Sequence, residues 1–265
     1  MPTSSSQNWP MKSVNQVAYP LNLIYERRWF KRYFTMRSDP VFAVPWDMKT
    51  TIVVMVAWFI VLYVLSTRFE TFAWQTFRLE LNSMASARSR AIFFFLRDLG
   101  CAFSSMLVVF LGIRRYRPLP KGLFPFRLKG KWPLGVVSIC LVLFPILSQD
   151  LTGGAAFFEA GETPDAVAVI LNAITICICC PAWEEILFRG FLLPSLCRYL
   201  PVAASIVVSS VLFALVHVSI PQKLPLMVIG LITGTVFVVW KNLFASIFAH
   251  VLWNTFIYTD ILLQM

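Results

Sequence analysis

Seven apolar segments recur along this chain, and each is nearly long enough to cross a membrane as a helix. A spanning helix needs about 20 mainly apolar residues. In lipid, a helix satisfies its own backbone hydrogen bonds, so the pattern predicts an all-α, polytopic transmembrane helix bundle of about seven spans. The predicted spans are residues 50–66, 91–113, 132–148, 165–180, 202–219, 224–240 and 243–263.

The composition supports a membrane protein. Apolar residues make up 58% of the chain and charged residues 14%, whereas a soluble domain has roughly 45–50% apolar and about 25% charged residues. The mean hydropathy is +0.72. Most of the formal net charge of +10 lies in the N-terminal half, where basic segments orient membrane proteins. The charge therefore needs no nucleic-acid partner to explain it.

The connections between the segments predict an orientation. The connection 114–131 carries seven basic residues and no acidic one, whereas 149–164 carries three acidic residues and no basic one. Basic connections stay on the cytoplasmic side, so the first lies inside and the second outside. With seven spans, the N-terminus is then inside and the C-terminus outside.

Two segments contain features that predict interruptions. Arg97 and Asp98 lie inside the second segment, so we expect its helix to begin after them, with residues 91–97 as an interfacial turn. A straight helix through residues 165–197 would be ~50 Å long, which exceeds a hydrocarbon core of ~30 Å. Pro181 is expected to kink or break that helix.

Three charged side chains follow the fourth segment in otherwise apolar sequence: Glu184, Glu185 and Arg189. Ionisable groups are costly inside a membrane and mark candidate functional sites. In a helix, Glu185 and Arg189 are four residues apart and share a face, so we expect them to pair as a supporting contact. Glu184 lies about 100° away around the helix, which leaves it available for chemistry.

The only two histidines of the chain, His217 and His250, also lie in apolar segments. Phe213 precedes His217 by four residues, and Asn254 follows His250 by four. The chain thus contains, in order, Glu-Glu-x-x-x-Arg, Phe-x-x-x-His and His-x-x-x-Asn. This set resembles the three-motif signature of the CAAX protease and bacteriocin-processing (CPBP, or Abi) family of intramembrane proteases, over about residues 165–260.

The resemblance implies an endopeptidase that hydrolyses peptide bonds of membrane-embedded or lipid-attached substrates. Its partners would be membrane proteins or lipidated peptides and the lipid bilayer, with no nucleic acid. We expect the chain to consist of a basic, partly interfacial N-terminal tail (1–49), N-terminal transmembrane helices (50–148) and a catalytic helix bundle (149–265) with an internal hydrophilic cavity.

Peptide hydrolysis requires an activated water, a general acid for the leaving amine and stabilisation of the oxyanion. Glu184 is the predicted base, and His217 would hold or co-activate the same water. His250 and Asn254 would stabilise the oxyanion or orient the substrate carbonyl. The family resemblance implies the same positions.

The cofactor prediction is none or one divalent metal, such as zinc. Glu184, His217 and His250 form a His₂Glu donor set of the kind found in catalytic zinc sites. The family is often labelled metalloprotease, yet a water activated by glutamate and histidine without metal is also proposed for it. Cys177 and Cys180 have a C-x-x-C spacing, but on an apolar helix we expect buried thiols rather than a redox or metal site.

Two other functions fit the sequence. One is a non-proteolytic membrane scaffold of the same fold that binds and stabilises partner membrane proteins. The other is a transporter or proton pathway built on buried glutamate and histidine. The run of residues 184–200 looks closest to the cyanobacterial and plastid branch of the family, which predicts a plastid or cyanobacterial membrane, with the plasma membrane as the alternative.

Overall fold

The computed structural model describes residues 43–77, 86–120, 122–147, 165–217 and 223–263. Within these ranges every regular element is helical, which confirms the predicted all-α membrane bundle. The helices are α1 (Met48–Phe77), α2 (Ala87–Ile113), α3 (Trp132–Leu147), α4 (Ala166–Cys197), α5 (Val202–Leu215), α6 (Lys223–Trp240) and α7 (Leu243–Leu263). Among them α1, α2, α4, α6 and α7 are long and apolar enough to cross a membrane, whereas α3 and α5 are shorter apolar helices.

Helices α2 and α4 begin at side-chain caps that satisfy free backbone donors. The Ser86 hydroxyl accepts a hydrogen bond from the Ser89 amide, and the Asp165 carboxylate accepts one from the Ala168 amide. Helix α2 runs through Arg97 and Asp98 without interruption. The predicted late start of this helix is therefore wrong, because both charged side chains face a cavity inside the bundle.

Helix α4 is continuous from Ala166 to Cys197, so the predicted end of the fourth span near Cys180 is wrong. Two π-helical stretches, Ile174–Cys179 and Ile186–Leu192, alternate with α-helical turns. Pro181 follows the first stretch and lacks the amide hydrogen that an α-helix needs there. The wider π-helical turn absorbs the proline without breaking the helix.

Several polar side chains within the spans form hydrogen bonds inside the bundle. Buried Ser105, Ser210 and Thr233 donate hydrogen bonds to the carbonyl four residues earlier on their own helix. This bonding removes the cost of an unpaired hydroxyl in an apolar environment. Large apolar side chains are instead exposed on the outer face of α1, as expected for contact with lipid: Ile52, Val53, Val56, Phe59 and Ile60.

Contacts between helix ends show that neighbouring helices alternate in direction. Thr50 at the start of α1 contacts Tyr116 beyond the end of α2, and the Met48 amide donates to the Tyr199 hydroxyl beyond the end of α4. At the other end, Arg88 pairs with Asp165 at 2.8 Å. We call the two ends the basic end (starts of α1, α3, α5 and α7) and the acidic end (starts of α2, α4 and α6).

Residues 43–47 precede α1 and pack into the bundle at the basic end, although the sequence places them in the tail. Trp46 is fully buried, stacks on Phe191 with a centroid distance of 5.3 Å, and donates its indole hydrogen to Ser195. Arg198 hydrogen-bonds the Trp46 carbonyl. Residues 1–42, the rest of the predicted tail, lie outside the described residues.

Helices α5 and α6 approach closely where Gly230 faces Ser210. A Cβ atom at Gly230 would lie 2.9 Å from the Ser210 Cβ and 3.0 Å from its Cα. The glycine therefore allows contact at backbone distance, as small residues do between membrane helices. The Gly230 carbonyl also accepts a hydrogen bond from Arg189, so this close packing holds the charged part of α4 in place.

Candidate active site

Three helices bring the Glu184 carboxylate and the two histidines together. Glu184 Oε1 lies 3.8 Å from His217 Nε2, and Glu184 Oε2 lies 3.9 Å from His250 Nε2. Because α4 is continuous, Glu184 and His217 lie at similar distances from the turn that joins α4 to α5. They therefore reach the same depth in the bundle.

In each imidazole, the hydrogen-bond partner of Nδ1 determines which ring nitrogen carries the hydrogen. His217 Nδ1 is 2.7 Å from the Phe213 carbonyl, and His250 Nδ1 is 2.9 Å from the Glu185 carboxylate. Both partners only accept hydrogen bonds, so each Nδ1 carries a hydrogen. In the neutral imidazoles, each Nε2 is therefore a hydrogen-bond acceptor beside Glu184.

Glu185 is fully buried and fully engaged, in contrast to its neighbour. Its Oε2 accepts from the Ser246 hydroxyl at 2.6 Å, and its Oε1 contacts His250 Nδ1. Arg189 Nη1 lies 3.1 Å from Oε1 as an ion pair. The Arg189 guanidinium also stands 4.8 Å from the centre of the Phe213 ring. This network holds the His250 ring and balances the buried charge.

Asn254 lies on α7 one helical turn beyond His250, and its amide is already engaged. Its Nδ2 donates to the carbonyl of Ile176 at 2.9 Å. In the π-helical register, Cys180 donates to Thr175, so the next donor, for Ile176, would be residue 181. That residue is Pro181, which has no amide hydrogen. Asn254 therefore replaces a missing backbone donor of α4 as well as lining the cavity.

A cavity of about 560 Å³ contains the Glu184 carboxylate and both histidines. Most of its wall is apolar and, apart from Ser66 and Tyr258, its polar groups occur in two clusters. One is Glu184 with His217, His250 and Asn254. The other is Arg97 and Asp98 on α2, where the Cys180 thiol lies 3.5 Å from the Asp98 carboxylate. The apolar wall is formed by Trp58, Leu62, Ile176, Trp183, Phe188, Val216, Pro225, Leu226, Trp253, Ile257 and Ile261.

The structure brings all six predicted site residues into one region. Sequence reasoning missed Ser246, which holds Glu185, and the Arg97–Asp98 cluster. Ser246 lies four residues before His250, as Asn254 lies four after it, so helical spacing contained the signal for this serine. The six cysteines, all within the described residues, are free thiols, with Cys177 buried and Cys180 half-buried.

The three predicted metal ligands lie near one another, although the described residues contain no recognised metal-binding group. Glu184, His217 and His250 are of the types that bind catalytic zinc, in which ligand bonds are about 2.0–2.2 Å long. Nevertheless, no group of three or more His, Cys, Asp or Glu among the described residues is placed to hold an ion. The metal therefore stays a prediction from the sequence, which metal analysis of the purified protein tests.

Comparison with known proteins identifies the same region of the chain. Residues 166–256 match the family described as type II CAAX prenyl endopeptidase Rce1-like. The chain is also 26% identical over 167 residues to a Bacillus subtilis (strain 168) protein named "Putative membrane peptidase YdiL", covering 59% of this chain and 68% of that protein. No solved structure matches the chain at the same level of significance.

The matched residues include all of α4, α5 and α6, and the part of α7 up to residue 256, which contains Asn254. They thus contain the glutamate pair, both histidines and the asparagine that meet in the cavity. Over residues 166–256, the chain is therefore similar to CAAX-type membrane proteases, in agreement with the resemblance seen in the sequence.

Proposed function

We propose that this protein is an intramembrane endopeptidase in which Glu184 and the two histidines activate a water molecule to cut membrane-embedded or lipid-attached peptides. The observation that carries the proposal is the convergence of both Nε2 atoms on the two oxygens of one carboxylate, at 3.8 and 3.9 Å. These separations are too long for direct hydrogen bonds and suit a bridging water.

In the proposed first step, the Glu184 carboxylate takes a proton from the water while the water oxygen attacks the substrate carbonyl carbon. His217 holds the water through Nε2. The carbonyl π bond becomes an oxyanion, which gives a tetrahedral intermediate. General-base catalysis of this kind requires the base within reach of the water, and the distances support it.

In the second step, the carbon–nitrogen bond breaks and the proton held by Glu184 passes to the leaving amine. The products are a carboxylic acid and an amine. His250, when protonated on Nε2, donates to the oxyanion, and its Nδ1 contact with Glu185 stabilises the positive charge on the ring. Glu185, Arg189, Ser246 and Asn254 are positioning residues in this scheme.

The resemblance of residues 184–200 to the cyanobacterial and plastid branch supports a photosynthetic membrane, or otherwise a plasma membrane, as the location. The predominantly apolar wall of the cavity supports substrates with apolar side chains around the cleaved bond.

The Glu184→Gln substitution tests the proposal because it removes the base while conserving the shape of the side chain. We expect peptide cleavage to fall by about 10²–10⁴-fold, the usual contribution of general acid–base catalysis. The measurement compares truncated membrane proteins, identified by proteomics, in cells that carry the wild-type or the variant protein.

Asp260→Asn is the matched control, since it neutralises an exposed carboxylate on α7. We expect it to cleave like the wild type. Identical truncated peptides in the wild type and in Glu184→Gln would refute the enzymatic mechanism. Normal biological rescue by Glu184→Gln would favour a scaffold instead.

A further inference from the structure

The cavity that holds Glu184 contains a second pair of charged side chains. Arg97 and Asp98 lie on α2 and line the cavity wall, with 25% and 14% of their side chains exposed. Helix α2 lies outside residues 166–256, the part of the chain that matches a known family. The family match therefore does not account for this pair, and the proposed chemistry does not use it.

Helix packing does not explain the pair. Adjacent residues of a helix do not face each other. Arg97 Nη2 lies 3.3 Å from Asp98 Oδ1, whereas strong hydrogen bonds between charged groups are about 2.7–2.9 Å long. Leu96 and Leu99 of the same turn are 51% and 42% exposed, as expected for contact with lipid. Two ionisable groups at this depth are costly, so they mark a candidate functional site.

The Asp98 carboxylate lies about one helical turn from the position of Glu184 along α4. Its Oδ2 atom is 3.5 Å from Sγ of Cys180, and Cys180 precedes Glu184 by four residues on the same face of α4. Four residues of an α-helix rise about 6 Å. An extended peptide advances about 3.3 Å per residue. A peptide that runs along α4 and reacts at Glu184 therefore reaches Asp98 about two residues from the cut bond.

The Asp98 carboxylate can accept a further hydrogen bond from a bound peptide. Its Oδ1 atom accepts from Arg97. Among the described residues, Oδ2 contacts the Cys180 thiol, which is a weak donor. A peptide in this mostly apolar cavity loses the water around its backbone amides, and this loss is costly for an amide without a new partner. Oδ2 offers such a partner.

We propose that Asp98 positions the substrate by accepting a hydrogen bond from one of its backbone amides, about two residues from the cut bond. Arg97 orients the carboxylate through its contact with Oδ1. The substrate is then an extended peptide segment, and proline is disfavoured at that position because it has no amide hydrogen. The inference rests on the proposed function, since it places the peptide relative to Glu184.

The test uses a synthetic peptide that spans a cut site identified by the comparison of the wild type with Glu184→Gln. In each member of a series, one backbone amide within three residues of the cut bond is N-methylated. The measurement is kcat/KM of the purified full-length protein in detergent. For the wild type, methylation of one amide beside the cut bond should lower kcat/KM by about 10–100-fold, as expected for a hydrogen bond to a charged group. In Asp98→Ala, methylation of the same amide should have little effect.

Two further variants control the comparison. Asp98→Asn keeps an oxygen that can accept the hydrogen bond, so it should remain sensitive to methylation of that amide. The double variant Arg97→Gln/Asp98→Ala removes both charges and replaces Asp98→Ala if the latter does not fold. Because each protein is measured on methylated and unmethylated peptides, the ratio of its rates does not depend on the fraction that is folded.

The outcomes separate this inference from the proposed function. If N-methylation has the same effect at every position in the wild type and in Asp98→Ala, Asp98 has only a structural role and the inference is wrong, while cleavage that depends on Glu184 still supports the proposed function. If Glu184→Gln cuts the unmethylated peptide as fast as the wild type does, the proposed function is wrong and the inference fails with it.

Discussion

Glu184 and Glu185 are adjacent in the sequence but lie in different surroundings. The Glu185 oxygens contact Ser246, His250 and Arg189, and the side chain has no exposed surface. The Glu184 side chain is 12% exposed, and its oxygens face two imidazole nitrogens at distances beyond direct hydrogen bonding. Helical geometry separates their roles, since successive residues turn by about 100°.

The two glutamates should therefore differ in their effect on stability. Glu185→Gln leaves the buried Arg189 charge without its counter-ion, and breaking a buried pair costs about 3–5 kcal/mol. We expect a clear fall in the unfolding temperature of the detergent-solubilised protein. Glu184→Gln should unfold near the wild-type temperature, although it loses activity.

Ser246→Ala provides a graded comparison, because it removes one hydrogen bond to the same carboxylate. Its cost should be about 1.5–3 kcal/mol, as for hydrogen bonds to charged groups. Similar unfolding temperatures for Glu185→Gln and Glu184→Gln would contradict the assigned roles.

At the scale of helices, the π-helical turn before Pro181 and the side chain of Asn254 act together. The proline leaves the Ile176 carbonyl without a helical donor in that register, and the Asn254 amide supplies one from α7. Freed backbone groups are tolerated at membrane depth only when a neighbouring element satisfies them. The contact thus joins the helix of the glutamates to the helix of His250.

Asn254→Ala should lower the free energy of unfolding by about 1 kcal/mol through loss of this hydrogen bond. In a Pro181→Ala background, the alanine amide can donate to Ile176 instead, so the same substitution should cost less. Thermal unfolding of the four proteins in this double-mutant cycle measures the difference. Equal losses in both backgrounds would show that Asn254 and Pro181 are not coupled.

The apolar pattern of the sequence predicted helix bounds correctly where local sequence determines them. It mispredicted the bounds of helices that depend on contacts with other helices. The predicted span 243–263 matches α7, and 224–240 differs from α6 by one residue. The span that was expected to end at Cys180 continues to Cys197, because a residue 73 positions after Pro181 supplies the missing donor. Arg97 and Asp98 looked incompatible with a buried helix because the cavity that they line is formed by other helices.

The relative positions of site residues could be predicted from the sequence where the residues lie on the same helix. The four-residue spacings of Glu185 with Arg189 and of His250 with Asn254 place each pair on one face. The meeting of Glu184 with His217 depends on the relative depth of two helices, which hydropathy does not define. The resemblance to a family, rather than spacing, joined the three motifs.

At the scale of the whole molecule, Trp46 packs the segment before α1 against the last turns of α4, where it contacts Phe191 and Ser195. Trp46→Ala should destabilise the bundle by about 3–5 kcal/mol, the usual cost of removing a large aromatic side chain from a core. Tyr63→Ala is the control, because Tyr63 is 63% exposed on the outer face of α1. We expect its unfolding temperature to remain near that of the wild type. Equal changes in unfolding temperature for the two variants would mean that Trp46 does not stabilise the bundle at the basic end.

The stacked pair of Trp46 and Phe191 has a further consequence for the cell. Hydrolysis consumes water, yet a continuous aqueous path across a bilayer would dissipate proton and ion gradients. Aromatic rings fill the bundle between Glu184 and the basic end, so they obstruct a path for water through that half of the bundle. Water can therefore occupy the cavity without opening a path for ions across the membrane.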